Sequence, residues 1–145
     1  MVRYKDSDTL DFLGWLKLKG EALGYVAEVE YYLGKKDYFV DVVWKFGEDQ
    51  TRFVTFEVET QNCGKIFSNT SRIYGALPDV ISRPRNHFMI MFKDKLSEIQ
   101  RKALYSIISN YSVYLFEDIF RDSNNLRKLE QKLESLRYNN PKGFR

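Results

Sequence analysis

The spacing of hydrophobic positions predicts a helix at the start of the chain. Residues 8–23 carry leucines near helical spacing, with polar and charged side chains between them. An oxygen-bearing side chain within residues 6–8 (Asp-Ser-Asp) can cap the N-terminus of this helix, and Gly24 can end it. We therefore expect one helix here, with Gly20 as the point where it could break.

Three segments with strand character follow. Residues 25–33 alternate glutamates with tyrosine, alanine and valine, and residues 38–46 and 52–60 are rich in β-branched and aromatic side chains. The turn-forming sequences LGKKD and GEDQ separate them. These patterns predict a three-stranded antiparallel meander.

The middle of the chain predicts a helix and then a central strand. Residues 64–77 carry apolar side chains at helical spacing and end before Pro78. HFMIMF, residues 87–92, is an almost continuous apolar run, which is typical of a strand covered on both faces.

A further helix and strand are expected after residue 96. Ser97 and Gln100 fit a capping box that opens a helix. Its predicted core face consists of Ile99, Ala103, Leu104 and Ile107. YSVYLF, residues 111–116, has the composition of another strand.

The chain ends in a leucine-striped helix and a basic tail at residues 139–145. The stripe consists of Leu126, Leu129, Leu133 and Leu136. We expect it to pack on its own sheet rather than to form a dimer seam, because fewer than three heptads seldom make a coiled coil. The complete pattern predicts an α/β fold, with a mixed central sheet flanked by helices.

The composition fits a single folded domain. The chain has 145 residues, of which 43% are hydrophobic and 16% aromatic, and its net charge of +3 permits an anionic partner. Cys63 and His87 are the only residues of their kinds, which argues against disulfide frameworks and cysteine–histidine zinc sites. Because no signal peptide or membrane-spanning run is evident, we expect a soluble, cytoplasmic or otherwise intracellular protein.

The third predicted strand carries a pair of acids. Glu57 and Glu59 are two positions apart in FVTFEVETQN, so their carboxylates should point the same way, roughly 6–7 Å apart. Asp41, a lone charge in the preceding strand, lies beside Glu57 if the hairpin register allows it. Three carboxylates and the backbone carbonyl of Val58 would suit Mg²⁺ or Mn²⁺. The alternative is that both glutamates simply face solvent.

Cationic and amide side chains are expected on the helix that follows. They are Lys65, Asn69 and Arg72, which share one helix face. Such a stripe suits a phosphate backbone, although an ordinary solvated face is the alternative. In the segment SRPRNH, Arg83, Arg85 and His87 could extend a basic rim.

These features together resemble the core of the PD-(D/E)xK, or restriction-endonuclease-like, nuclease superfamily. The resemblance rests on the order of helix, three-strand meander, helix and strand, with VDVVW around Asp41 and FEVETQ around Glu57 and Glu59. It covers residues 8–92 and implies an α-β-β-β-α-β core, to which residues 93–138 would add a C-terminal α-β-α unit.

The resemblance implies roles for individual residues. Asp41 and Glu57 would be metal ligands, and Glu59, which replaces the lysine of the family motif, would be a third ligand or a general base. Lys65 or Gln61 would position the attacking water. An acid from the first helix often assists in the family. The first choice for that acid is Glu21, with Asp11, Glu28 and Glu30 as competitors.

The implied function is a Mg²⁺- or Mn²⁺-dependent DNA endonuclease that leaves a 5′-phosphate and a 3′-hydroxyl. A homodimer would suit this activity, since two symmetric sites can cut both strands. Two other interpretations stay open. One is a catalytically inactive nuclease-fold module that binds nucleic acid or a protein partner. The other is a structural protein that binds a partner through its leucine-striped terminal helix.

Overall fold

The computed structural model describes residues 5–32, 39–46, 49–59, 86–108 and 113–136. Three helices and five strands within these residues form an α/β fold. In chain order they are α1 Ser7–Ala22, β1 Val26–Tyr32, β2 Phe39–Phe46, β3 Asp49–Glu59, β4 Asn86–Met91, α2 Glu98–Ile108, β5 Val113–Glu117 and α3 Ser123–Glu134. The predicted helix at 64–77 and the tail at 139–145 lie outside the described residues.

The five strands form one mixed sheet in the order β1-β2-β3-β4-β5. The first two pairings are antiparallel, which confirms the predicted meander, and β3-β4 and β4-β5 are parallel. The hairpin between β2 and β3 is tighter than predicted. Phe46 pairs with Asp49, so β3 begins at Asp49 instead of residue 52.

Helix α1 begins and ends at the predicted signals but does not break at Gly20. The Asp6 carboxylate accepts a hydrogen bond from the Thr9 N–H at 2.8 Å and caps the N-terminus, and Gly24 has a φ of 101°. The helix continues through Gly20 because the missing side chain leaves room for the Trp44 indole, which a Cβ there would overlap. The Trp44 ring is held in place by a 3.1 Å hydrogen bond from its N–H to the Leu16 carbonyl.

The main core lies between α1, α3 and one face of the sheet, which we call the apolar face. Its strand residues include Val42, Trp44, Val54, Phe56, Val58, Phe88 and Ile90, all buried. Trp44, Phe56 and Phe88 form a continuous row of rings, with centroid distances of 4.7 and 5.0 Å. Rings at these separations add attraction to the area that they bury.

The leucine stripe of α3 belongs to this core. Leu129 and Leu133 are completely buried in it, and Leu126 and Leu136 pack against it. The prediction that the terminal helix packs on its own sheet is confirmed, so the stripe does not offer a free surface to a partner.

Helix α2 begins as predicted but presents a different side to the sheet. Ser97 and Gln100 form the reciprocal capping box, at 2.9 and 3.1 Å. The predicted core positions Ile99 and Ala103 are exposed, however, whereas Leu104 is buried. Arg101 explains the rotation, because its guanidinium binds Glu117 on β5 through two hydrogen bonds and turns this side of α2 inward.

The opposite face of the sheet has an apolar part under α2. Its strand residues are Met89, Met91 and Val113, and Leu96, just before α2, and Leu104 of α2 pack over them. Strand β4 is therefore buried on both sides, as its continuous apolar sequence predicts. No helix in the described part of the chain is long and apolar enough to cross a membrane.

Candidate functional site

The other part of this second face is polar and buried; we call it the polar patch. It consists of Asp41, Thr55, Glu57, Glu59 and His87. These positions alternate with those of the apolar face, so their side chains lie on the opposite side of the sheet. Asp41 and Glu57 are 0% exposed and Glu59 is 7% exposed. The interpretation that the two glutamates face solvent is therefore wrong.

The strand register brings Asp41 close to the acidic pair. The β2-β3 ladder includes Val42 opposite Phe56, so the next step along the two strands places Asp41 opposite Glu57. The Asp41 side chain also links the two strands, because its Oδ2 accepts a hydrogen bond from the Val58 N–H of β3 at 2.8 Å. This bond orients the carboxylate.

A cation from the start of the chain reaches the same point. The Lys5 ammonium lies 3.6 Å from Asp41 Oδ1 and donates a 3.0 Å hydrogen bond to the Val58 carbonyl. The Lys5 side chain is 8% exposed. A buried carboxylate requires compensation of its charge, and here an ammonium supplies it.

Residues around the N-terminus of α1 hold Lys5 in this place. Asp6 caps α1, and the Lys93 ammonium just after β4 lies 3.5 Å from the Asp6 carboxylate and 2.8 Å from that of Asp8. The Thr9 N–H and then Lys93 lower the pKa of Asp6, and Asp8 raises the pKa of Lys93.

The ends of β3 and β4 are also joined, because the Phe92 N–H donates a hydrogen bond to the Glu59 carbonyl at 2.8 Å. The site therefore lies at the carboxyl ends of parallel β3 and β4, where open α/β sheets commonly bind ligands.

The backbone is irregular on the other side of Asp41. Between the pairs Val29–Val42 and Tyr31–Val40, Glu30 of β1 has a φ of 55°. A left-handed conformation is uncommon for glutamate, and such outliers concentrate at functional sites. Glu30 is itself exposed, so it is not an acid of the polar patch.

His87 is in the polar patch and not on the predicted basic rim. Its Nδ1 lies 2.7 Å from the Thr55 hydroxyl, on the neighbouring parallel strand. Burial lowers the pKa of His87 from 6.5 to about 3, with the Thr55 bond opposing the shift. The imidazole is neutral at physiological pH and adds no positive charge.

The acids proposed from other elements lie elsewhere. Glu21 is half exposed and pairs with Lys17 at 2.7 Å, at the end of α1 opposite Lys5, and α1 is roughly 24 Å long. Asp11 is exposed on the same helix. Glu21 is thus not part of the polar patch, because its position on α1 directs it to solvent.

Glu28 also has another partner. Its carboxylate lies 2.7 Å from the Lys45 ammonium. The remaining predicted site residues, Gln61, Lys65, Asn69, Arg72, Arg83 and Arg85, lie outside the described residues.

The oxygen atoms at the Lys5 position have the chemistry that a divalent ion requires. Among the described residues, no group of three or more acidic, histidine or cysteine side chains is arranged to hold a metal ion, and the three-carboxylate site stays a prediction. Mg²⁺, however, commonly binds through one or two carboxylates together with waters and substrate phosphates. The Asp41 carboxylate and the Val58 carbonyl are ligands of that kind, and the Lys5 ammonium marks where a positive charge sits. Glu57 is the neighbouring carboxylate by strand register.

Sequence reasoning missed Lys5. It lies 53 positions before Val58, outside the elements that carry the acids, and no local pattern connects it with them.

Comparison of the chain with protein-family models, with curated proteins and with solved structures found no significant match in any of the three.

Proposed function

We propose that this protein is a metal-dependent endonuclease that hydrolyses phosphodiester bonds in DNA. One observation carries the proposal: a carboxylate oxygen of Asp41 and the carbonyl oxygen of Val58 both face the buried Lys5 ammonium. Val58 is next to Glu57 on β3, and the strand register places Glu57 opposite Asp41. The restriction-endonuclease-like resemblance is supported by the order of α1, the meander and the parallel strand β4.

Each acid of the polar patch would have a separate role in the reaction. Asp41, oriented by the Val58 N–H, and Glu57 would hold Mg²⁺ or Mn²⁺ together with the Val58 carbonyl. A bound ion would supply a water of lowered pKa and would stabilise charge on the phosphate. Glu59, near the end of β3 and the least buried of the three acids, would be a third ligand or accept the proton of the water. Water would attack in line and leave a 5′-phosphate and a 3′-hydroxyl.

The substrate and assembly are part of the proposal. The side chains predicted to contact the DNA backbone are Asn69, Arg72, Arg83 and Arg85, and Lys65 or Gln61 would position the water. A homodimer would place two such sites for cleavage of both strands. Light scattering of the protein with and without duplex DNA measures this assembly.

Cleavage of labelled single-stranded, duplex and branched DNA tests the activity. Asp41→Asn and Glu57→Gln keep the side-chain volume and remove the charge, so each should lower the Mg²⁺-dependent rate by at least about 100-fold. Glu21→Gln is the matched control, since it makes the same change on the exposed surface. Circular dichroism verifies that each variant is folded.

The pattern across these variants is decisive. Cleavage that needs Mg²⁺ or Mn²⁺, stops with EDTA and is lost only in the two patch variants supports the proposal. Cleavage that persists in EDTA, or is equal in all folded variants, comes from a contaminant or from another site and rejects it.

The second candidate is a catalytically inactive module with the same fold that binds nucleic acid or a protein partner. The Lys5 ammonium favours it, because Asp41 already has a cation and needs no metal to remain buried. This candidate predicts DNA binding that is the same in EDTA and Mg²⁺, and the same for Asp41→Asn. A filter-binding titration under both conditions separates the two candidates.

A further inference from the structure

The Lys5 contacts differ from those of an ordinary ion pair. The ammonium binds a backbone carbonyl at 3.0 Å as well as facing a carboxylate oxygen at 3.6 Å, and both partners lie at the end of the buried meander. Carboxylate and carbonyl oxygens are also the ligands of hard divalent ions. The two oxygens that face the ammonium are therefore of the same chemical kinds as the ligands of a divalent ion.

The position of Lys5 allows its side chain to leave without rearranging the fold. Lys5 precedes the N-cap residue Asp6, which is attached to Thr9 and faces Lys93. These contacts hold the backbone, whereas the flexible side chain of Lys5 is the part that enters the site. Rotation of this one side chain would free Asp41 Oδ1 and the Val58 carbonyl.

We propose that Lys5 is the resident cation of this site and that a divalent ion binds in competition with it. The inference rests on the proposed function for the identity of the incoming ion. It adds that the ammonium keeps Asp41 compensated in the metal-free protein, so the fold does not depend on metal. Lys5 thereby sets how much free metal the site needs.

Metal affinity without DNA is the first test. We compare wild type, Lys5→Met and Lys5→Arg by calorimetric titration with Mn²⁺ after removal of metal by chelation. If the ammonium occupies the site about nine-tenths of the time, Lys5→Met should bind Mn²⁺ about tenfold more tightly. Lys5→Arg, which keeps the charge, should not show this gain. Lys17→Met, on the exposed side of α1, is the matched control and should bind as wild type does.

Thermal unfolding provides a second readout. In EDTA, Lys5→Met should unfold at a lower temperature than wild type, because Asp41 loses its cation. Mn²⁺ should restore more of the unfolding temperature in Lys5→Met than it adds to wild type. The double variant Lys5→Met with Asp41→Asn should show neither the loss in EDTA nor the recovery with Mn²⁺.

Every result decides the inference. Equal Mn²⁺ affinity of wild type and Lys5→Met overturns it, and so does a destabilised Lys5→Met that Mn²⁺ does not rescue. If Lys5→Met is unfolded in EDTA, refolding with Mn²⁺ becomes the readout: recovery supports competition and failure to recover overturns it.

The two proposals can fail separately. Tighter Mn²⁺ binding by Lys5→Met, with no DNA cleavage by any protein, leaves the competition intact and rejects the endonuclease. Metal-dependent cleavage by wild type, with Mn²⁺ affinity that does not change in Lys5→Met, supports the endonuclease and rejects the competition.

Discussion

The two faces of the sheet are buried to a similar extent but are built on different principles. The apolar face fills its volume with rings and branched side chains, among them Trp44, Phe56 and Phe88. The polar patch on the other face contains Asp41, Glu57 and other groups that are costly to bury. On the apolar face stability depends on shape, whereas in the patch it depends on specific partners.

This difference affects how each face tolerates change. A core of close-packed rings responds to any change of volume, roughly in proportion to the cavity or overlap produced. A polar patch responds to the loss of one partner, because the other is left buried with its charge or hydrogen bond uncompensated. The proposed exchange of Lys5 for a divalent ion depends on this property, since an incoming ion has to replace an existing partner.

The largest loss of stability is expected when a ring is removed from the row on the apolar face. Phe88 packs between Phe56 at 5.0 Å and Tyr114 at 5.3 Å and is completely buried. Phe88→Ala should lower the free energy of unfolding by about 3–5 kcal/mol. Phe120→Ala, at a half-exposed ring, should cost about 1 kcal/mol or less. Urea denaturation measures both, and equal losses would contradict the assignment of the core.

The free energy of unfolding should fall in acid because His87 is buried in the polar patch. The pKa of His87 is 6.5 in the unfolded chain and about 3 in the folded protein, so between these two pH values the unfolded state gains this proton and the folded state does not. This residue alone should lower the free energy of unfolding by about 2–3 kcal/mol between pH 6.5 and 4.5.

His87→Asn isolates this contribution, because asparagine does not titrate and can still reach the Thr55 hydroxyl. Its unfolding free energy should fall less steeply with acid than that of wild type. Parallel curves for the two proteins from pH 6.5 to 4.5 would mean that His87 takes up its proton equally in the folded and unfolded states, which contradicts a lowered pKa.

Two glycines of α1 test how closely this helix packs on the apolar face. A Cβ on Gly20 would overlap the Trp44 indole, so Gly20→Ala should destabilise the protein by about 1–3 kcal/mol. A Cβ on Gly14 would meet no described group from outside its own helix within 4 Å, and Gly14→Ala should stabilise the helix by about 0.5–1 kcal/mol. Thermal unfolding of both variants gives the signs, and a stabilising Gly20→Ala would disagree with the tight helix–sheet contact.

The smallest effect is expected at the edge of the sheet. Glu28 is half exposed and pairs with the largely buried Lys45 at 2.7 Å. Glu28→Gln should cost about 0.5–1 kcal/mol at low salt and less at about 1 M salt, because exposed pairs are screened. Denaturation at two salt concentrations checks it, and a loss that does not change with salt would place the pair in a drier environment.

Much of the secondary structure could be predicted from local signals. The Asp6 cap, the Ser97–Gln100 capping box and the alternation of the meander each depend on neighbours within a few residues. The predicted orientation of α2 was wrong, because Ile99 is apolar yet faces solvent. The side of α2 that faces the sheet is instead the one with Arg101, which binds Glu117 on β5. The helix acid Glu21 was misplaced for the same reason, since helical spacing does not tell which end of α1 meets the sheet.

By itself the sequence determined that Glu57 and Glu59 lie on one side of their strand, because alternation is a local property. It left open whether Asp41 lies beside them, which depends on the hairpin register, and the pairing of Val42 with Phe56 in the structure decided it. Only the tertiary structure decided that this side is buried and that the Lys5 ammonium lies against it. Burial depends on everything that packs over a surface, and the Lys5–Val58 contact joins residues 53 positions apart. The acids were therefore visible in the sequence, while the charge that compensates them was visible only in the fold.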